Sequence, residues 1–346
     1  MKGIFQAGAV LAPGERPTLK TIAYMTGLGV TTVSRALKDA PDISAETKER
    51  VRLVASQIGY HPNRAGVRLR TGKTNVISLI LNIDEEIMGL TSHIVYGISE
   101  ILANTNYHLI VTPYSRLKDA MAPVRYILDT GSADGVILSS AQPDDPRIRL
   151  LLERNLPFAT HGRTNMGLVH PYHDFDNETY AYEAVRRLTE KGRTRIAILE
   201  PLPQYTFYHH MHAGFRRGLN DFGAEEVHFP DVTLHDSINA IHEATLKMLR
   251  QTNHVDGIIS GSSSGAVAIS SALAASGRRL GHDIDMVSKQ PASLLKFICP
   301  EVMTVNEDIR LAGRELAKAV IARIDGVPPE RLQSISLPDG RLVYPG

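Results

Sequence analysis

A short run of hydroxyl side chains that ends in an arginine carries the clearest chemistry in the sequence. Thr31, Thr32, Ser34 and Arg35 share the polar face of a helix that we predict over residues 30–38. Small side chains allow a helix to lie close to the base edges in the major groove of DNA. An arginine placed there can donate two hydrogen bonds to guanine. The pattern therefore indicates a helix that reads DNA.

A serine-rich loop suggests a second chemistry, nucleophilic catalysis. Residues 261–265 read GSSSG, which fits the G-x-S-x-G turn that exposes a catalytic serine between a strand and a helix. A hydrolase of that kind needs an acid and then a histidine farther along the chain. His282 is the last histidine, and no Asp or Glu stands between Ser263 and His282. We therefore interpret the loop as polar lining of a cleft and predict that the protein is not an enzyme.

Three neighbouring histidines suggest a metal site, but their spacing does not support one. On a helix, His209, His210 and His212 do not point toward one ion, and no Cys, Asp or Glu lies within a turn of them. The chain also lacks a P-loop and a G-x-G-x-x-G motif. We therefore expect no cofactor and no bound metal.

Charge is distributed unevenly along the 346 residues, whose formal total is +1. Residues 16–73 contain eleven Lys/Arg against four Asp/Glu, a surplus of seven, so the rest of the chain is net acidic. A compact basic segment on an acidic body is typical of a nucleic-acid-binding protein. The single cysteine, Cys299, and the absence of any run of ~18 apolar residues fit a cytoplasmic location.

Three short helices are needed to position the DNA-reading residues. Thr18 is expected to cap a helix over 19–25, and Gly27 permits the tight turn that leads into the reading helix. Ser44 is expected to cap a third helix, which Gly59 ends. Apolar residues at helical spacing in all three helices predict one small core beneath the exposed reader.

The order of these motifs resembles the DNA-binding head of the LacI/GalR family of regulators. The similarity is carried by the segments TLKTIA (18–23), TVSRAL (32–37), IGYHPNRA (58–65) and LRTGKT (69–74). It extends nearly without gaps over residues 17–74 and implies a helix-turn-helix followed by a hinge helix.

The resemblance also implies roles for single residues. Val30 and Thr31 would read bases, Arg35 would contact guanine, and Leu69 would wedge into the minor groove and bend the operator. Residues 63–73 can alternatively be interpreted as a plain basic linker. The residues implied in DNA binding are Thr18, Val30, Thr31, Thr32, Ser34, Arg35, Tyr60, Asn63, Arg64 and Leu69.

Beyond Asn75, short apolar strands alternate with amphipathic helices, which predicts α/β architecture with doubly wound parallel sheets. The pattern repeats, so we expect two lobes with a ligand cleft at the carboxyl ends of their strands. This arrangement resembles the periplasmic-binding-protein-like core of the same family. Strands are predicted at 76–81, 107–112, 135–138, 158–160, 196–199, 257–260, 284–287 and near 335–337.

Four segments are expected along the chain. They are a disordered leader at 1–15, the helix-turn-helix domain at 16–61, the hinge at 62–74, and a ligand-binding and dimerisation domain at 75–346. Chain crossings near residues 161, 291 and 325 would divide that last domain. The first lobe would then hold about 75–161 and 292–325, and the second about 162–291 and 326–346.

The predicted cleft departs from the sugar pocket that the resemblance implies. Met211 stands where the family usually has an arginine, Ser262 and Ser263 where it has Asn-Asp, and Gln290 where it has an aspartate. Charged groups hold sugar hydroxyls strongly, so their joint loss argues against an ordinary hexose. Effector contacts are expected from Asp84, His161, Arg163, Asp176, Tyr208, Met211, Ser262, Ser263 and Gln290.

Two charged features predict different effectors. Arg163 would favour a sugar acid or another anionic sugar derivative, and we give this interpretation precedence. The acidic loop at 84–86 would instead favour a cationic or hydroxyl-rich ligand.

These features together predict a ligand-responsive repressor that controls carbohydrate or sugar-derivative metabolism. As a homodimer it would bind a pseudo-palindromic operator in double-stranded DNA, with no membrane partner, and it would be associated with the bacterial nucleoid through that DNA. The effector is equally compatible with an inducer and with a corepressor. The alternative is a solute-binding module without DNA function, which the basic head disfavours.

Overall fold

The computed structural model describes residues 16–60, 72–82, 90–115, 118–251, 255–291 and 293–345. The chain divides into two compact units, residues 1–74 and 75–346. The expected leader, most of the expected hinge with Asn63, Arg64 and Leu69, and the acidic loop with Asp84 lie outside the described residues.

The first unit contains the three predicted helices of the head. They are α1 (Leu19–Thr26), α2 (Val30–Leu37) and α3 (Ala45–Gln57). Each helix contributes two residues to one small buried core, namely Ile22, Ala23, Val33, Ala36, Val51 and Ala55. The helical spacing of apolar residues in the sequence therefore identified the buried faces correctly.

Local capping fixes where the helices of the head begin and end. The Thr18 hydroxyl accepts a hydrogen bond from the Thr21 amide at 3.3 Å, and Thr21 Oγ1 accepts one from the Thr18 amide at 3.1 Å. This reciprocal pair satisfies two amides at the start of α1. Gly27 ends α1 with φ of +67°, a left-handed conformation that glycine adopts without strain. Ser44 caps α3 through the Thr47 amide at 3.3 Å.

The second unit contains twelve described strands and nine described α-helices. The strands are β1 (Val76–Asn82), β2 (His108–Tyr114), β3 (Gly135–Leu138), β4 (Phe158–His161), β5 (Tyr172–Phe175), β6 (Arg195–Leu199), β7 (Glu225–Glu226), β8 (Gly257–Ser260), β9 (Asp285–Gln290), β10 (Met303–Asn306), β11 (Gln333–Ser336) and β12 (Leu342–Val343). The helices are α4 (Leu90–Leu102), α5 (Ala122–Thr130), α6 (Pro146–Glu153), α7 (Asn177–Glu190), α8 (Thr206–Phe222), α9 (Ile238–Gln251), α10 (Ser263–Ala275), α11 (Leu295–Ile298) and α12 (Ile309–Ile324).

These strands form two sheets, one in each lobe. The first sheet has the order β12-β11-β5-β4-β3-β1-β2, and the second has the order β10-β9-β8-β6-β7. All pairings are parallel except that of β11 with β12. Alternate residues of β1 enter different cores, with Ile77 and Leu79 on one face of the sheet and Val76 and Ile80 on the other. Both faces of the sheet are covered, which confirms the doubly wound α/β architecture.

The structure corrects the predicted boundaries between the lobes. Strand β5 pairs with β4 and with β11, so both β5 and the segment 333–343 belong to the first sheet. Strand β10 pairs with β9, which places residues 303–306 in the second sheet. The chain therefore crosses after β5, near Asp176, and again after β10, not near residues 161, 291 and 325. The error arose because β5, read as YHDF, is too polar and too short to be recognised as a strand.

Each lobe contains one pair of helices that approach closely through glycine. In the first lobe, a Cβ atom on Gly97 of α4 would overlap the carbonyl oxygen of Arg310 in α12. In the second lobe, a Cβ atom on Gly214 of α8 would overlap the carbonyl oxygen of Glu178 in α7. No helix among the described residues is long and apolar enough to cross a membrane.

Candidate functional site

The reading helix α2 presents its predicted polar face to solvent. Val30, Thr31 and Arg35 are exposed, whereas Thr32 and Ser34 are half-buried. Val30 has 41% of its surface exposed although it is apolar. An exposed valine at the start of a DNA-reading helix is suited to contact a thymine methyl group.

Arg35 is held by an acidic partner in the free head. It forms an ion pair with Asp42, in the turn between α2 and α3, and about half of each side chain is exposed. Ion pairs with this exposure contribute at most ~1 kcal/mol, so DNA can compete for the guanidinium. Tyr60 is half-buried against the core of the head, and burial raises the pKa of its phenol.

The second unit contains a partly open cleft between the two lobes, lined by residues of both. Four predicted effector residues line it: His161, Arg163, Ser262 and Gln290. His161 ends β4 and Gln290 ends β9, so the carboxyl ends of parallel strands from both sheets meet here. This is the position at which doubly wound sheets bind ligands.

Other predicted effector residues lie outside the lining of the cleft. Asp176 caps α7 by accepting hydrogen bonds from the Thr179 amide at 3.0 Å and the Thr179 hydroxyl at 2.7 Å. Met211 is fully buried in the core of the second lobe, and Ser263 is buried in the first turn of α10. Tyr208 is half-buried and stacks on His212. These four predictions are not supported by the structure.

Lys289 is a cleft residue that the sequence analysis missed. Its side chain is 6% exposed, and its Nζ donates to Asn177 Oδ1 at 2.7 Å and lies 2.8 Å from Glu307 Oε2. The rings of Phe175 and Phe207 lie 5.1 Å and 5.9 Å from the ammonium group. A buried lysine is stable only when it is paired, and Glu307 and Asn177 provide that pairing. A lysine at the end of an apolar strand was the available signal in the sequence.

A second ion pair faces the cleft from the first lobe. Arg163 Nε lies 2.9 Å from Asp174 Oδ2, and Asp174 Oδ1 accepts a hydrogen bond from the Phe175 amide at 2.9 Å. Burial raises the pKa of Asp174 to about 6, against the opposing effect of Arg163. Arg163 and Lys289 thus each have a carboxylate partner, and the four formal charges cancel.

Three histidines at or near the cleft have lowered pKa values, which favours their neutral forms. Burial lowers the pKa of His161, and burial together with Arg163 lowers the pKa of His210 to about 4. Burial also lowers the pKa of His173 to about 3. The His173 ring is hydrogen-bonded to the hydroxyls of Ser334 at 2.9 Å and Ser336 at 3.2 Å. The imidazoles therefore add hydrogen-bonding groups without adding charge.

Direct hydrogen bonds connect the two lobes beside the cleft. The amide and hydroxyl of Thr206, at the start of α8, donate to the Ala141 carbonyl at 3.0 Å and 3.2 Å. The loop that carries Ala141 is held by Arg147, which is 2% exposed and bonded to Asp145 at 2.7 Å. Arg147 also donates to the Ser140 carbonyl at 2.9 Å. Because Ala141 and Thr206 both line the cleft, a ligand there would contact the junction of the lobes.

Comparison with known proteins agrees with this geometry. Residues 75–336 match the model of the periplasmic binding proteins and sugar binding domain of the LacI family, and residues 18–63 match that of the bacterial regulatory proteins, lacI family. The HTH-type transcriptional regulator AglR of Rhizobium meliloti is 30% identical over 320 residues, covering 88% of this chain and 87% of that protein.

Solved structures are similar over nearly the whole chain. A complex of the transcriptional regulator CelR with cellobiose has a TM-score of 0.67 at 26% identity, covering 96% of this chain and all of that one. The lac repressor dimer bound to operator and an anti-inducer has a TM-score of 0.78 at 20% identity, covering 90% and 94% of the two chains. This second likeness shows a shared fold. The chain is a DNA-binding transcriptional regulator and belongs to the LacI family of bacterial regulatory proteins.

Proposed function

We propose that this protein is a repressor that binds a pseudo-palindromic operator as a homodimer. Binding of a sugar-type effector raises or lowers its affinity for that operator. The observation that carries this proposal is the cleft, which is lined by polar residues of both lobes. A ligand that binds residues of two lobes changes the free energy of their closure, and such a change can be transmitted to attached DNA-binding heads.

In the DNA-bound state, the exposed face of α2 supplies the base contacts. Val30 and Thr31 read adjacent bases, Arg35 leaves Asp42 to bind guanine, and Thr32 and Ser34 contact the DNA backbone. Thr18 and Tyr60 support these contacts from the edges of the head. Asn63, Arg64 and Leu69 are proposed for the same function from the sequence, with Leu69 as the minor-groove wedge.

In the cleft, the effector is a hydroxyl-rich sugar or sugar derivative. His161, Arg163, Ser262 and Gln290 contribute polar groups, and Lys289 and Glu307 add a charged pair. The preference for a sugar acid rested on a free Arg163. Asp174 engages that arginine, so its charge is already compensated and a neutral ligand fits the cleft better.

The protein has no catalytic function in this proposal. Ser263 Oγ makes no hydrogen bond to any residue in the described part of the chain, so no described base activates it. A serine without a base is a poor nucleophile at neutral pH. The protein acts in the cytoplasm, at the nucleoid whenever it is bound to its operator.

Selection of DNA from a random library by the full-length protein tests the proposal. The expected product is a family of pseudo-palindromic sites, bound far more tightly than random DNA of equal length in a gel-shift assay. Equal affinity for selected and random DNA would show that the chain is a solute-binding module without specific DNA function.

A further inference from the structure

The carboxylates that face the cleft differ in their burial and in their partners. Among the described residues that line it, the carboxylates are Asp174 and Glu307. Glu307 Oε2 lies 2.8 Å from the ammonium group of Lys289, which also donates to Asn177. Oε2 of Glu307 is therefore already engaged by Lys289.

Asp174 is the more deeply buried of the two carboxylates, and one of its oxygens is buried without a hydrogen bond from any described residue. Its side chain is 5% exposed, and Oδ1 accepts from the Phe175 amide. Oδ2 makes no hydrogen bond to any described residue, although Arg163 Nε lies 2.9 Å away, because that N–H does not point at it. A buried carboxylate oxygen without a hydrogen bond costs free energy, so it should readily accept a hydrogen bond from a ligand.

Two neighbouring nitrogen atoms also make no hydrogen bond to any described residue. Arg163 Nε makes no hydrogen bond, and neither does His210 Nδ1, which lies 4.0 Å from Asp174 Oδ2. Arg163 and Asp174 belong to the first lobe, and His210 belongs to α8 of the second lobe. Asp174 Oδ2 therefore has a nitrogen of the first lobe at 2.9 Å and a nitrogen of the second lobe at 4.0 Å, and a ligand group placed beside it could reach all three.

One chemical group satisfies this position better than the alternatives. A hydroxyl can donate to Asp174 Oδ2 and accept from Arg163 or from the neutral imidazole of His210. A carboxylate could accept from Arg163, but it would lie against the ionised Asp174. An ammonium group could donate to Asp174, but it would lie against Arg163.

We propose that Asp174 is the specificity-determining residue of the effector cleft, and that it binds a hydroxyl group of a neutral sugar and disfavours the matching sugar acid. Arg163 is a positioning residue that orients the carboxylate. This inference rests on the proposed use of the cleft as an effector site, and it assigns the main contact to Asp174 where the sequence alone favoured Arg163.

Isothermal titration of the full-length protein tests the assignment with three neutral disaccharides, cellobiose, maltose and melibiose, and their aldonic acids. The wild type is expected to bind at least one of the neutral sugars at least 10-fold more tightly than its acid. Asp174→Asn removes the charged acceptor and leaves Arg163 without its counter-charge. This variant should bind the neutral sugar about 10- to 100-fold more weakly, the usual range for losing a hydrogen bond to a charged group. Its affinity for the acid should equal or exceed its affinity for the neutral sugar.

Asp221→Asn is the matched control, since Asp221 is exposed near the end of α8 and bonded to Tyr182. Its titrations should match the wild type. The assignment is overturned if the wild type prefers an acid, if Asp174→Asn binds the neutral sugar like the wild type, or if none of the six ligands binds. If Asp174→Asn does not fold, the wild-type comparison of sugar with acid can still overturn the assignment. Selective operator binding by the same samples would show that the proposed DNA function stands independently of this result.

Discussion

At the scale of single residues, the charged groups most important to the proposed effector site are those whose partners could not be predicted from the sequence. Arg35 could be assigned from its place in the TVSRAL segment, because a short motif fixes its position on one helix. Asp174 and Lys289 could not, because their partners Arg163 and Glu307 are brought to them only by the folded sheets. Met211 was assigned to the cleft in error because the sequence alone does not show that its side of α8 faces the core.

Arg35→Ala should weaken operator binding by about 1–3 kcal/mol and relax the preference at one base pair, because a bidentate contact to guanine is lost. The control is Arg52→Ala, which removes another exposed head arginine that is paired with an aspartate, Asp39, and lies on α3. Quantitative gel shifts on operator and random DNA give the two affinities. The role of Arg35 is wrong if its ratio of specific to random affinity equals that of Arg52→Ala.

His173→Gln should change how the free energy of unfolding depends on pH. The pKa of His173 is about 3 in the folded protein against 6.5 for the free side chain. Burial of the neutral ring therefore costs the folded protein no stability above pH 6.5. As the pH falls from 6.5 toward 3, the unfolded chain takes up a proton that the folded protein does not, and the free energy of unfolding decreases. Between pH 7 and pH 5 the wild type should lose about 2 kcal/mol relative to the variant. Urea denaturation at both pH values measures this difference, and parallel losses in the two proteins would contradict it.

At the scale of elements, the sequence predicted the strands marked by continuous apolar runs and the helices marked by caps and glycines. Strands β3 and β8 begin and end where the apolar runs do, and the three head helices follow their caps and glycines. Strand β5 was missed because its polar side chains are buried by neighbours that lie far away in sequence, such as Ser334 beside His173. One missed strand was enough to misplace the chain crossings, since β5 and β11 pair with each other.

Gly97→Ala should destabilise the second unit although alanine favours helices more than glycine does. The added methyl group would overlap the Arg310 carbonyl where α4 crosses α12, and overpacking of this kind costs about 1–3 kcal/mol. Ser99→Ala, an exposed position on the same helix, is the matched control and should be nearly neutral. Thermal denaturation compares the two variants. Equal melting temperatures would show that the helices can separate at no cost.

At the scale of the whole molecule, the head is too small to bind DNA specifically by itself. Its reading helix α2 has eight residues, of which only Val30, Thr31 and Arg35 are exposed. Such a surface reads a few base pairs, so useful specificity requires two heads on two half-sites. We therefore expect sedimentation at micromolar concentration to give a particle of two chains, and one dimer per operator. A monomer or a tetramer under these conditions would contradict the proposed assembly.

The central claim is that one protein joins operator recognition to occupancy of the cleft. Fluorescence anisotropy of a labelled, selected operator, titrated with protein in the absence and presence of the tightest-binding disaccharide, measures that link directly. Random DNA of equal length controls for general effects of the sugar. Because allosteric coupling is usually worth about 1–3 kcal/mol, operator affinity should change about 5- to 150-fold at saturating sugar, with affinity for random DNA unchanged. An operator affinity that is the same with and without the bound sugar would contradict the account.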